Sequence, residues 1–593
     1  MTALEDALRA VDAVADRFLA GKHVPGVAYG VVSGGELIHA RGVGTLRVGD
    51  VAPPDADSVF RIASMTKSFT AATVIGLRDE GRLALDDPIA RHVPELAELR
   101  GPTADSPPIT VRQLLTMSSG LATDDPWGDR QQGLDLAAFS TLLSGRLTFA
   151  WPPGIRFEYS NLGYGILGRL ITNIAGEEYR DVVRARLLEP LGLNATTYLQ
   201  AEVPPERLAH GYVWRDDAYV EEPIDPYGAL AAMGGIFTSV RDLARWVAFF
   251  TDAFPARDEP DDGWPLSRAS RREMQQVHRP WAPELILARP DAAPAARAGG
   301  YGFGLYAVDD TRWGRITGHS GGYPGFGSSM RWHGGSGLGV IVLANHRYGP
   351  STLLGNEILE SLLGANAAPP RRILPGPSAV AARADVERLL TAWDDALAGR
   401  LFAMNVELDE PLAHRRTAIE KLRESHGPLR PDPALPDESG TPLHLAWWLA
   451  GERGGRVRVE ILLAPTHPPR VQALDLTVVR EPSPELQGVA SAVVAAVNDE
   501  TGDPPGGVAL GPAIDRQALT RVKRVVAARY APVALGPAVA GDGARTATWR
   551  LQGAGGGADG PGLELVVERD PDAAIVTVLK LTERPPELPR HAD

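Results

Sequence analysis

The stretch Phe60-Arg61-Ile62-Ala63-Ser64-Met65-Thr66-Lys67-Ser68-Phe69-Thr70 passes from one kind of backbone to another. Val59-Phe60-Arg61-Ile62 reads as a short apolar strand. From Ser64 to Glu80 the apolar residues recur at helical spacing, and Gly81 closes the helix as a C-cap. Ser64 therefore stands in the first turn, with Lys67 three residues on. Positions i and i+3 share a helix face, so hydroxyl and ammonium can meet. A hydroxyl there also feels the positive end of the helix dipole, which favours developing oxyanion character. Taken alone, the spacing also fits a solvated lysine beside a helix start.

Working outward, the residues from 1 to 19 form an amphipathic helix. Gly26–Val32 and Glu36–Gly42 flank Ser33-Gly34-Gly35 as a β-hairpin. From about residue 85 to 300 the pattern is helical and proline-rich, with helices expected at Val111–Met117, Leu134–Leu143, Leu162–Ala175, Tyr179–Leu188 and Val240–Ala253. Strand character returns at Gly302–Val308, Gly314–Gly318, Gly327–His333 and Gly337–Asn345, followed by a helix at Leu353–Leu363. Strands at both ends enclose a helical insertion. The simplest assembly is an α+β domain over residues 1–365: one antiparallel sheet built from both ends, flanking helices and a helical subdomain.

A Pro-rich linker is expected over 366–384. Beyond it a pattern repeats: helices, then three alternating strands, over 385–482 and again over 483–585, with a tail at 586–593. Trp448 and Trp549 fall in corresponding strands of these two α+β units. The units hold no cluster of reactive side chains.

Composition excludes several chemistries. The 593 residues contain no Cys, which removes disulfides, thiol nucleophiles and Cys-ligated metals. Residues 1–370 carry 34 basic and 44 acidic side chains and no basic stripe, so a nucleic-acid partner is not expected. No apolar run approaches the ~20 residues of a membrane span, and the first residues lack a basic-then-apolar leader, so a cytoplasmic protein without a membrane partner is expected. Of the 60 basic residues only five are Lys, and Lys67 is one of two before residue 370.

Two further patterns accompany Ser64 and Lys67. Tyr159-Ser160-Asn161 sits where a helix begins; Asn161 as N-cap would account for the Asn but not for the Tyr. Gly318-His319-Ser320-Gly321-Gly322 falls on a strand at the sheet edge, its glycines marking either a turn or a close approach of backbone to a ligand. The loop from Thr123 to Arg130 combines acids, Trp and Arg. Either it lines a cleft, with Asp124 or Asp125 meeting a substrate amine and Trp127 an aromatic group, or Trp127 is a buried plug and Asp129-Arg130 is solvated. No His-Glu-x-x-His or close His pair is present, so no metal and no cofactor is expected.

Ser64-x-x-Lys67, Tyr159-x-Asn161 and His319-x-Gly321, in that order, resemble the motifs of the active-site serine penicillin-recognising enzymes. Within that superfamily the likeness is to the class C β-lactamase, D-aminopeptidase and carboxylesterase group, and it runs from about residue 10 to 365. The resemblance implies a β-lactamase/transpeptidase-like sheet-and-helix fold and a serine hydrolase. Ser64 would be the nucleophile and Tyr159 the general base, its phenol pKa lowered by Lys67. Lys67 would relay the proton or hold the phenolate. Asn161, His319, Ser320, Gly321 and Gly322 would bind substrate, with the N–H groups of Ser64 and Gly322 as oxyanion hole. β-Lactam-processing members often have Lys where His319 stands, and an imidazole titrating near 6.5 anchors a carboxylate less firmly. Small amides, peptides (D-amino-acid-containing ones among them) or esters are therefore the expected substrates. An acyltransferase or peptide cyclase of the same fold, and a catalytically silent scaffold, are the alternatives. The C-terminal units would cover the cleft mouth or join copies into a homo-oligomer.

Overall fold

Successive side chains of Val27-Ala28-Tyr29-Gly30-Val31 leave a strand on opposite faces, and both faces of this strand are buried in the computed structural model. The structure describes residues 3–261, 263–286, 295–365, 373–499, 508–512, 514–530, 532–553, 562–570 and 575–584. They form two compact units, one from residues 1–286 and 295–368 and one chiefly from 369–593.

The first unit is built on a nine-stranded antiparallel sheet. Its order is Glu36–Gly44, Gly26–Ser33, Gly339–Ala344, Phe326–His333, Gly314–Tyr323, Tyr306–Asp310, Ala295–Tyr301 and Arg279–Pro280, with Glu284–Ile286 also paired to Ala295–Tyr301. Strands from the two ends of the unit meet, Val27 opposite Ala344 and Val31 opposite Val340, so the sheet is closed from both ends as expected. Val27, Tyr29, Val31, Val340 and Val342 bury one face under the helices Ala3–Leu19 and Ser351–Gly364. Ala28, Val32, Ile341 and Leu343 bury the other under Phe69 and Trp246, whose rings stack 3.9 Å apart. Gly30 falls on that second face because the helix Val240–Thr251 sits directly on it: a Cβ there would lie 2.5 Å from Val240 Cγ1.

Three features differ from the sequence expectation. Val59–Arg61 does not join the main sheet but pairs with Phe237–Ser239, Phe60 opposite Thr238. The strand expected over Gly302–Val308 is divided by a turn, which sets Tyr301 opposite Tyr306. A hairpin, Tyr212–Arg215 with Ala218–Glu221, lies in the region read as helical. Its two turn residues, Asp216 and Asp217, have φ of 51° and 57°, the left-handed pair that a tight two-residue turn requires.

The second unit carries two four-stranded antiparallel sheets, Leu429–Pro431, His444–Gly451, Arg456–Leu463, Val471–Val479 and Val533–Ala540, Thr546–Gly553, Gly562–Asp570, Ile575–Arg584. Each gains one strand over the expected three. Trp448 and Trp549 do occupy matching second strands. Adjacent residues of one strand serve different cores. Trp447 packs among Val386 and Leu389 of the helix Pro377–Thr391, while Trp448 joins Trp549, Leu486 and Val493. That helix starts inside the expected linker, with Pro377 in its first turn, where the missing N–H costs nothing. Residues 366–372 of the linker and the tail 586–593 lie outside the described residues.

Candidate active site

Ser64 lies in a 3₁₀ turn, Ala63–Met65, that leads into the helix Thr66–Asp79, so the α-helix starts two residues later than the periodicity predicts. Ala63 has φ of 49°, a left-handed conformation that costs a non-glycine residue about 1 kcal/mol or more. The turn is held from behind. Ser328 donates its hydroxyl to the Ile62 carbonyl at 2.7 Å. Gly321 lets the strand Gly314–Tyr323 abut the same place: a Cβ on it would fall 2.2 Å from the Ile62 carbonyl oxygen and 2.4 Å from Ser328 Oγ.

Lys67 is fully buried, and its Nζ has three partners. It donates to Ser64 Oγ at 2.9 Å, Asn161 Oδ1 at 2.7 Å and the Met233 carbonyl at 2.7 Å. It also lies 4.9 Å from the centre of the Tyr159 ring and 5.7 Å from that of Tyr164. Burial lowers its pKa from 10.5 to about 8, against the opposing charges of Asp125, Asp129 and Asp124. Near that pH a large fraction of the amine is neutral. Two N–H groups then suffice for Asn161 and Met233, and the lone pair is left facing the Ser64 hydroxyl.

Ser160, not Asn161, caps the helix Asn161–Ala175, accepting the Gly163 N–H at 3.2 Å. The capping account of Asn161 therefore falls, and its side chain is free to bridge Lys67 and, through Nδ2, Asp125 Oδ1 at 2.7 Å. Tyr159 is partly buried beside them. Its phenol sits well above the ordinary 10, because burial outweighs the hydrogen bond with Ser64, and Tyr306 adds to the rise. The expected lowering by Lys67 is thus reversed: the depressed group is the amine.

His319 lies on an interior strand, not at the sheet edge. That strand's pairing with Tyr306–Asp310 ends at Gly318, while Ser320, Gly321 and Gly322 stay paired on the far side to Ser329, Ser328 and Gly327. The imidazole is 2% exposed. Its Nδ1 meets the Ser320 carbonyl at 2.6 Å and its Nε2 the Tyr301 hydroxyl at 3.0 Å, which fixes Nδ1–H as donor and Nε2 as acceptor. Burial, then the Lys67 charge, lowers its pKa to about 3. The expected titration near 6.5 does not occur, and no positive charge is offered to a carboxylate at neutral pH. Gly318-x-Ser320-x-Gly322 also has the spacing of a nucleophile elbow, but it runs along a continuous strand without the strand-to-helix turn such an elbow needs.

The loop from Thr123 to Arg130 follows neither expectation fully. The Asp124 carboxylate accepts the N–H groups of Asn161 and Leu162 at 2.7 and 2.8 Å, so it is occupied by the helix start. Trp127 is 42% exposed and no plug. Asp129, far from being solvated, is 5% exposed and accepts the Tyr348 hydroxyl at 2.6 Å, and burial raises its pKa to about 6. Sequence reasoning missed Asp129 and also the aromatic neighbours Tyr301 and Tyr306, which a turn brings beside His319. It missed Arg61 as well, buried with its guanidinium 4.0 Å from the Tyr323 ring. Among the described residues no group of three or more His, Asp or Glu is arranged to hold a metal ion, and no helix is long and apolar enough to cross a membrane.

The Beta-lactamase family model matches residues 11–363. Protein flp of Staphylococcus aureus (strain MW2) is 26% identical over 344 residues, 57% of this chain and 63% of that protein. The D-alanyl-D-alanine-carboxypeptidase/endopeptidase AmpH of Escherichia coli (strain K12) is 30% identical over 247 residues, 40% of this chain and 60% of that protein. The matches thus span less than two thirds of either relative. The octameric penicillin-binding protein homologue from Pyrococcus abyssi superposes with a TM-score of 0.51 at 22% identity, over 80% of this chain and 98% of that one.

Proposed function

The chain belongs to the beta-lactamase family of serine hydrolases, and from that premise we propose that it opens small amides, peptides or esters through an acyl-enzyme on Ser64. The observation that carries this reading is the 2.9 Å contact between Ser64 Oγ and the amine of Lys67, whose pKa is about 8. Neutral Lys67 takes the hydroxyl proton as Oγ attacks the substrate carbonyl. The N–H groups of Ser64 and Gly322 hold the oxyanion. Collapse of the tetrahedral intermediate breaks the bond to the leaving amine or alcohol. That group receives the proton from Lys67 by way of the Tyr159 phenol, which is neutral and can donate. Water then repeats the sequence in reverse on the acyl-enzyme. Tyr159 is in this scheme a proton carrier, and Lys67 the base.

The charge around Ser64 narrows the substrate class. Asp124, Asp125 and Asp129 act on Lys67, and His319 is neutral. Carboxylates are repelled there and neutral or cationic acyl donors are favoured, which supports amides and esters over penicillins. AmpH, a peptidase by name, supports peptides, including those with D-residues. The test is product analysis on D-alanine p-nitroanilide, a D-alanine-containing dipeptide and a p-nitrophenyl ester, with and without added amine. Release of free acid that is lost in Ser64→Ala and unaffected by amine is expected. Activity retained by Ser64→Ala would refute the acyl-enzyme, and amine-captured product would make the protein a transferase.

A further inference from the structure

The two ends of an asparagine amide are nearly alike in shape, and only their partners decide which end faces where. At Asn161, Oδ1 takes the Lys67 ammonium at 2.7 Å while Nδ2 donates to Asp125 Oδ1, also at 2.7 Å. Turned over, the amide would set a donor against the Lys67 donor, and its oxygen against the Asp125 carboxylate. We infer that Asp125 is a positioning residue for the Ser64 reaction: by accepting from Asn161 Nδ2 it keeps Oδ1 on Lys67, and so keeps Lys67 on Ser64. The inference rests on the acyl-enzyme reading above and assigns to this loop a part in the chemistry, not in substrate binding.

The loop is tied to the helix start on both sides of Asp125. Asp124 takes the Asn161 and Leu162 N–H groups. Gly128 lies so close that a Cβ on it would be 3.0 Å from Asn161 Cβ. Asp125 is thereby held where its charge also matters. The groups that face Lys67 are Ser64 from its own turn, Asn161, Tyr159 and Tyr164 from the helix Asn161–Ala175 and the segment before it, and Met233 O. His319 faces it from the sheet, and Asp124, Asp125 and Asp129 from the loop. Among these charges Asp125 acts most strongly on Lys67, and it favours the ammonium.

With five lysines in the chain, ¹³Cε-lysine NMR resolves Lys67 directly, and Lys67→Arg identifies its signal. Asp125→Asn keeps an acceptor for Asn161 and removes the charge; Asp125→Ala removes both. The midpoint of Lys67 is expected to fall by about one pH unit in Asp125→Asn. Labelling of Ser64 by a fluorophosphonate is expected to slow about a hundredfold in Asp125→Ala, and Asp125→Asn should recover most of that loss. An unmoved midpoint, or Asp125→Ala labelled as fast as wild type, or no recovery in Asp125→Asn, would overturn the inference. Labelling that persists in Ser64→Ala would instead refute the acyl-enzyme, while the Lys67 midpoint still reports on Asp125.

Discussion

Lys67 and Lys22 show what a lysine does in a chain that otherwise uses arginine. Lys22 donates to the Phe18 carbonyl and lies 3.7 Å from the Phe18 ring, a helix-end role that an arginine could share. The role proposed for Lys67 is one that arginine cannot share, because a guanidinium does not give up its proton near neutral pH. The three motifs could be singled out in the sequence by their order and the family resemblance it carries, since the spacing of each alone is ambiguous. Their ionisation was not, because burial is a property of the fold. Tyr159 moved up where a lowering was expected, and His319 was removed from the physiological range. The shift of His319 has a consequence for stability. Its folded pKa of about 3 lies below the ordinary 6.5, so between those values the unfolded chain binds the extra proton. Stability contributed by this site is present above 6.5 and is lost as the pH falls towards 3. His319→Gln, which can keep a donor for Ser320 and an acceptor for Tyr301, should lessen the drop in the urea midpoint between pH 6.5 and 4.5. An unchanged drop would place the acid sensitivity elsewhere.

At the scale of elements, period-2 and period-3.6 patterns located most strands and helices of both units, and errors gathered where a partner had to be chosen. Val59–Arg61 has three residues, too few for pattern to say which strand it joins. Packing decided for Phe237–Ser239. Pro377 read as a breaker and is a first-turn residue. The strand Gly314–Tyr323 was legible, but its closeness to the Ser64 turn was visible only as Gly321. That closeness gives a prediction. Gly321→Ala puts a methyl 2.2 Å from the Ile62 carbonyl oxygen and 2.4 Å from Ser328 Oγ, both part of the support behind Ser64. The strand or the turn must shift. A loss of about 1–3 kcal/mol in stability is expected from the overpacking, together with a fall of about a hundredfold in the rate of Ser64 labelling. Chemical denaturation and labelling kinetics read the two effects separately. A variant with wild-type labelling would show that the contact does not set the nucleophile.

At the scale of the whole molecule, the repeated helix-then-meander pattern of the C-terminal residues was legible, including the match of Trp448 to Trp549. The sharing of their core was not, since adjacent tryptophans in one strand normally point one inward and one to solvent. Here Trp447 and Trp448 are both buried, on opposite faces, and Trp448 packs in the core of the second sheet. The two sheets should therefore unfold together. Trp448→Ala is expected to cost about 3–5 kcal/mol and to move one calorimetric transition for both sheets of the full chain; a second sheet that melts unchanged would contradict this. The first unit has its own cores, and the reaction proposed for it turns on one proton transfer, from Ser64 to Lys67. The rate of Ser64 phosphonylation by a fluorophosphonate, measured by intact mass between pH 6 and 10, reads that transfer most directly. The rate should rise with pH through a midpoint near 8 as the Lys67 amine loses its proton. In Lys67→Arg it should fall at least a thousandfold at every pH. A rate flat across that range, or one that Lys67→Arg leaves intact, would contradict Lys67 as the base.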